Sequence, residues 1–220
     1  MKGLGIILVV AVHAGLPFAQ YVTLFHMAIF FMISGYCYRE TYSETLQSVM
    51  VFLKKRFIGL YIPYVVTNLI LLGFHNRFVD WNIYTDNPLF LQADGIMNTY
   101  GLIKPYSVRD HIIQFILTLG FIGGEQLAGT LWFLRALFQI EIFYVMIDWV
   151  RRRLRVNGLY FWSVLTVVIV SAGYFLNTRG LHIVSGLETS CHYFVFFVIG
   201  IWLQKAALQR LFSKRFMSIL

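Results

Sequence analysis

The sequence predicts an all-α polytopic integral membrane protein: a helical bundle of about six transmembrane spans plus one re-entrant or interfacial segment. Three observations carry this. The 220 residues are 59% hydrophobic and 18% aromatic, with a mean hydropathy of +0.70. Only 13% are charged, against about 25% in soluble domains. The apolar residues fall into runs close to the roughly 20 residues that a helix needs to cross a bilayer. Finally, the basic residues cluster at the ends of those runs, as cytoplasmic flanks do.

Each element has its own argument. Residues 3–16 form a short apolar run that starts directly after Met1-Lys2, which predicts that upstream sequence is missing. Clear spans are predicted over 21–38, 57–74, 131–150, 160–176 and 183–203. Residues 111–122 are apolar but too short to cross and end in Gly123-Gly124. Basic residues follow the second, fourth and sixth of the runs taken as spans: Arg39, Lys54, Lys55 and Arg56; then Arg151, Arg152, Arg153 and Arg155; then Lys205, Arg210, Lys214 and Arg215. All three clusters fall on one side only if 111–122 does not cross, so it is read as half-inserted. The N-terminus is then cytoplasmic. The stretch from about His75 to Thr130 is external, with Trp81, Pro88 and Pro105 marking loop.

Composition also bounds function. The net charge of +8 is accounted for by topology, so no nucleic-acid partner is implied. Cys37 and Cys191 both lie in apolar segments and form no disulfide framework. The lipid bilayer is the one partner that composition requires. Residues 1–220 read as a single transmembrane domain.

Polar groups inside apolar spans are the candidate site. His13 and His26 flank a short turn at Pro17, each six or seven residues into its helix. At about 1.5 Å per residue they lie some 10 Å below the same surface. Two such imidazoles could serve as general base and orienting partner, or be buried histidines satisfied by neighbouring carbonyls and hydroxyls. No third ligand sits at metal spacing, so no metal is expected. Ser34-Gly35 reads most simply as a close-packing site between helices. Lys54, Lys55 and Arg56, read as the end of a cytoplasmic loop just before a span, are either topogenic charges or a clamp for phosphates. Arg135 and Glu141 are six apart, so they point to different faces and each needs a partner in another helix. Glu188 and His192, at i and i+4, can pair on one face. Charges at such depth are functional candidates.

Taken in order, these residues resemble the membrane acyltransferase-3 family, the bacterial surface-glycan O-acyltransferases. The resemblance begins at Lys2-Gly3-Leu4-Gly5-Ile6-Ile7-Leu8-Val9-Val10 with His13. It continues through Phe25-His26-Met27, Phe30-Phe31-Met32-Ile33-Ser34-Gly35-Tyr36, Lys55-Arg56-Phe57 and Ile62-Pro63-Tyr64. Leu131-Trp132-Phe133-Leu134, Leu137-Phe138 and Phe196-Phe197-Val198-Ile199-Gly200 follow. The family's acidic residue before the Lys-Gly is absent, and Ile58 and Gly59 stand where a second basic residue often lies. Family members carry further spans, so the resemblance implies that the C-terminal spans are missing here.

The resemblance implies transfer of an acyl group, usually acetyl, from acyl-CoA (acetyl-CoA) to a hydroxyl of a cell-surface polysaccharide or glycolipid. The protein would sit in the bacterial cytoplasmic membrane. His13 would be the base and His26 its partner. Lys54, Lys55 and Arg56 would hold the coenzyme, with Ser34 and Gly35 lining the thioester's approach. Arg135 and Glu188 would orient acceptor or donor. Two alternatives use the same residues: a transporter or flippase of a lipid-linked or acylated glycan, and an inactive truncated remnant. A proton-coupled carrier would depend on Glu141 and Glu188 more than on His13.

Overall fold

The computed structural model describes residues 19–83, 104–180 and 186–217. Seven helices hold most of them: α1 (Ala19–Tyr36), α2 (Leu46–Arg56), α3 (Ile62–Asp80), α4 (Val108–Leu119), α5 (Trp132–Arg153), α6 (Gly158–Thr178) and α7 (Leu187–Met217). No strand occurs among the described residues. Five of the six predicted spans fall on helices. The sixth, residues 3–16, lies outside the described residues.

Four helical stretches are long and apolar enough to cross a membrane: Leu46–Asp80, Leu127–Arg153, Gly158–Thr178 and Leu187–Ala207. Helix α1 has 18 residues, at the short end of the spanning range. Helix α4 has 12. At about 1.5 Å per residue it reaches only ~18 Å, short of the ~30 Å hydrocarbon core. This is a multi-pass helical membrane protein.

Two expectations are corrected. Residues 54–56 do not end a loop but form the last turn of α2. Val49 and Phe52 put an apolar stripe on one side of α2, and that stripe is buried. The helix then runs into α3 through a π-helical turn, Phe57–Tyr61. Pro63 stands at the start of α3, where its missing N–H costs nothing further once the hydrogen-bond ladder is already broken. The second correction is that α3 continues past residue 74 to Asp80. His75 and Asn76, read from sequence as the start of a loop, have tertiary partners that reward the extra turns.

The chain divides into two compact units, Met1–Lys55 with Ala136–Leu220, and Arg56–Arg135. In the first, α7 packs against α1 and α6. Gly35 and Gly200 let α1 and α7 approach backbone to backbone. Below that seam lies an aromatic core. Tyr144 stacks on Trp162 with ring centroids 4.0 Å apart, and Tyr38 meets Tyr144 edge-on at 5.0 Å and Phe52 at 5.7 Å.

Tyr38 therefore touches both α2 and α5, which puts the Lys54–Lys55 end of α2 and the arginine-rich end of α5 at one end of this unit.

In the second unit, side chains of α3 and of the turn before it hold the backbone on both sides of α4. Tyr61 Oη donates to the Leu119 carbonyl and Tyr64 Oη to the Gly123 carbonyl, each at 2.6 Å. Asn68 Oδ1 accepts the Glu125 N–H at 2.6 Å. Asn76 pairs with both backbone groups of Tyr106, at 3.0 and 2.7 Å. Irregular backbone shielded from water needs its polar groups satisfied by protein, and these side chains do so. Helix α4 itself starts at a capping box, Ser107 with Asp110.

Candidate functional site

Helix α5 carries two buried carboxylates one heptad apart, Glu141 and Asp148, so they lie on one face. Each accepts a serine hydroxyl from another element. Ser34 Oγ of α1 donates to Glu141 Oε1 at 2.6 Å, and Ser43 Oγ donates to Asp148 Oδ2 at 2.5 Å. The expectation that Glu141 needs a partner in another helix is met by Ser34.

Asp148 is the hub of an ionic cluster. Arg151 Nε and Arg152 Nε each donate to it at 2.8 Å, and Trp162 Nε1 at 3.3 Å. Four donors around one carboxylate satisfy a buried charge that would otherwise be costly. Arg151 also closes the turn into α6, donating to the Val156 carbonyl at 2.9 Å. Arg152 continues to Glu40 at 3.2 Å, and Lys205 of α7 reaches the same carboxylate at 2.5 Å. Burial alone would raise the Glu40 pKa. The hydrogen bond and charge of Lys205, joined by Arg152, outweigh it and hold the carboxyl below its ordinary value.

These three basic residues are thus committed to carboxylates. Lys54 and Lys55 are exposed and Arg56 is half-buried. Lys55 Nζ stands 5.9 Å over the Tyr42 ring.

The second unit holds a polar group that sequence reasoning passed over. His75 and Glu125 are fully buried and bonded at 3.0 Å through Nδ1 and Oε1. His75 Nε2 lies 3.0 Å from the Lys104 carbonyl. A carbonyl only accepts, so Nε2 is the donor in that contact. Tyr106 stacks on the imidazole at 3.5 Å. The missed signal was a histidine and a glutamate, each beside an apolar run, 50 residues apart. Arg135 donates to the Ile122 carbonyl at 3.3 Å, serving the same stretch of backbone after α4.

Of the other predicted residues, His13 lies outside the described residues. His26 is in α1, and its side chain is outside them too. Gly35 packs on α7, as a close-packing site should. Glu188 opens α7, and the bond described between it and His192 is from the imidazole Nδ1 to the Glu188 carbonyl oxygen at 2.7 Å. That contact is made at the Glu188 backbone rather than as the anticipated side-chain pair. Ser190 donates to Gln139 Oε1 at 2.5 Å. Among the described residues, no group of three or more His, Cys, Asp or Glu is placed to hold a metal.

A helical bundle of this kind, with carboxylates and hydroxyls paired inside apolar spans, defines a multi-pass membrane protein with a polar interior. The chain belongs to the acyltransferase-3 family: the family model described as an acyltransferase domain matches residues 1–220. It is a membrane acyltransferase by that membership. No curated protein and no solved structure matches it.

Proposed function

We propose that the protein moves an acyl group, acetyl in the simplest case, from acyl-CoA to a hydroxyl of a cell-surface polysaccharide or glycolipid. The family match over residues 1–220 is the observation that carries this reading. In it, the basic clusters face the cytoplasm of a bacterial cell and the protein occupies the cytoplasmic membrane. Lys54, Lys55 and Arg56 receive the coenzyme phosphates. The exposure of the two lysines supports this, since Arg151, Arg152 and Lys205 are already taken by carboxylates.

His13 removes the acceptor's proton as its oxygen attacks the thioester carbonyl, and His26 tunes that imidazole. Arg135 and Glu188 orient the reactants. The carbon–sulfur bond breaks, the coenzyme leaves as a thiol, and the proton taken by His13 is returned to it. Donor inside and acceptor outside make this transfer across the bilayer.

The test is transfer of labelled acetyl from acetyl-CoA to a membrane glycan fraction. His13→Ala is expected to lower transfer by about 10²–10⁴-fold with coenzyme binding retained. Normal turnover in that variant would remove His13 from the mechanism.

A further inference from the structure

We propose that Tyr61, Tyr64 and Asn68 form a track for the pantetheine arm of acyl-CoA, and that residues 120–125 occupy this track as a plug which the arm displaces. The proposal rests on acyl-CoA being the donor, as in the reading above.

Tyr61, Tyr64 and Asn68 are three and four residues apart, so they share one face of the helical run that follows Arg56. That face is polar within a stretch otherwise apolar enough to cross a membrane. Tyr64 and Asn68 are buried. What the three side chains hold is peptide. The two phenols donate to the carbonyls of Leu119 and Gly123, and Asn68 Oδ1 accepts the N–H of Glu125. Counted away from Arg56, the track therefore selects a carbonyl, a second carbonyl and an N–H.

The pantetheine arm presents those groups in that order, from its phosphate end to its sulfur. Its two amide carbonyls are four bonds apart, about 5 Å when extended. Tyr61 and Tyr64 are separated by about 4.5 Å along the helix axis. Asn68 leans back toward Tyr64, its amide donating to the Tyr64 carbonyl at 2.8 Å, which brings Oδ1 toward the second carbonyl's own N–H. Phosphates held at Arg56 would thus direct the thioester along α3.

The plug is built to leave. Residues 120–125 are neither helix nor strand, and Gly120, Gly123 and Gly124 lie among them. Phe121 is held at φ +61°, a strained setting for a residue with a side chain. Its ring covers the track, with centroids 4.6 Å from Tyr64 and 5.3 Å from Tyr61. Gly124 lies directly on it: a Cβ there would stand 2.6 Å from Asn68 Oδ1 and 2.8 Å from Tyr64 Oη. An arm that makes the same three bonds leaves no polar atom of the track unmet when the plug is lifted.

The experiment uses the full chain and two probes, coenzyme A and its nucleotide half alone, 3′-phospho-ADP. Affinity and hydrogen exchange over residues 120–125 are measured with each. Coenzyme A is expected to bind roughly tenfold or more tightly than the nucleotide, since the arm adds hydrogen bonds. It alone should raise exchange over 120–125.

Gly124→Ala separates plug from track, because its Cβ pushes the plug away and alters no group that meets the arm. It should bind coenzyme A about threefold or more tightly than the parent and the nucleotide equally well. A segment that merely supports the fold would give unchanged or weaker binding. Exchange over 120–125 that stays level or falls with coenzyme A would overturn the inference, and this reading on the parent stands if Gly124→Ala fails to fold. Equal affinity for coenzyme A and the nucleotide would overturn it too, leaving the donor in place. Failure of both probes to bind the parent would remove the donor reading itself.

Discussion

Gly35 of α1 and Gly200 of α7 face each other so closely that a Cβ on either would run into backbone of the opposite helix: the Phe197 carbonyl for Gly35, the Met32 carbonyl for Gly200. Backbone cannot swing aside as a side-chain tip can. Gly35→Ala and Gly200→Ala should therefore force the helices apart and cost about 1–3 kcal/mol each. Gly73, in α3, has nothing within 4 Å of where a Cβ would stand. Gly73→Ala should stabilise by about 0.5–1 kcal/mol through helix propensity. Thermal unfolding in one detergent reads all three. Gly35→Ala as stable as the parent would mean the seam is not tight.

Tyr64 and Asn68 hold the backbone that follows α4. Tyr64→Phe removes the donor to the Gly123 carbonyl, and Asn68→Leu removes the acceptor of the buried Glu125 N–H. Each leaves a backbone group unmet, at about 1–3 kcal/mol. Hydrogen exchange should rise locally over residues 119–125 while α6 and α7 remain protected. Equal loosening throughout would show that these bonds support the whole fold.

The spans were legible because apolar run length and charge placement are properties of local sequence, and both follow from the bilayer. The shortness of α4 was legible for the same reason. The Ser34–Gly35 packing site was legible from residue size. The partner of Glu141 was foreseen only as a need, since Ser34 stands 107 residues away and no periodicity links them. The same holds for His75 and Glu125, whose pairing is tertiary. The end of α3 is not legible because His75 and Asn76 look like loop, and their partners Glu125 and Tyr106 stand far along the chain. The α2 turn at residues 54–56 was misread because basic residues beside a span resemble a loop whether or not they are helical.

Glu40 gives the cluster at the arginine-rich end a pH signature. Its carboxyl pKa lies below the ordinary value of 4.5 when folded, since Lys205 and Arg152 outweigh the burial that would raise it. A group depressed on folding stabilises the protein at pH values above its unfolded pKa. That stability is lost as pH falls through the folded value. Stability should thus decline from about pH 5 downward, and Glu40→Gln should flatten that part of the curve. The side chain is 47% exposed, so the effect is small and salt should weaken it. Parallel pH curves for parent and variant would remove Glu40 from the balance.

The last prediction concerns which side each basic cluster faces. Tyr38 touches Phe52 and Tyr144, so the ends of α2 and α5 lie together, and α4 with its 12 residues is too short for a crossing of its own. With Cys37 and Cys191 replaced by alanine, Lys54→Cys and Arg153→Cys should behave alike toward an impermeant thiol reagent. Both positions are exposed, so burial would not mask the result. In intact cells both should be protected, and both should react once the membrane is opened, as the concentration of lysine and arginine at this end requires for a cytoplasmic face. A cysteine at Asp94, in the stretch read as external, should label without permeabilisation. Opposite behaviour at Lys54 and Arg153 would mean that residues 108–119 cross the bilayer after all. Labelling of both in intact cells would keep the span count, turn the protein over, and put the proposed coenzyme rim on the side where acyl-CoA is absent.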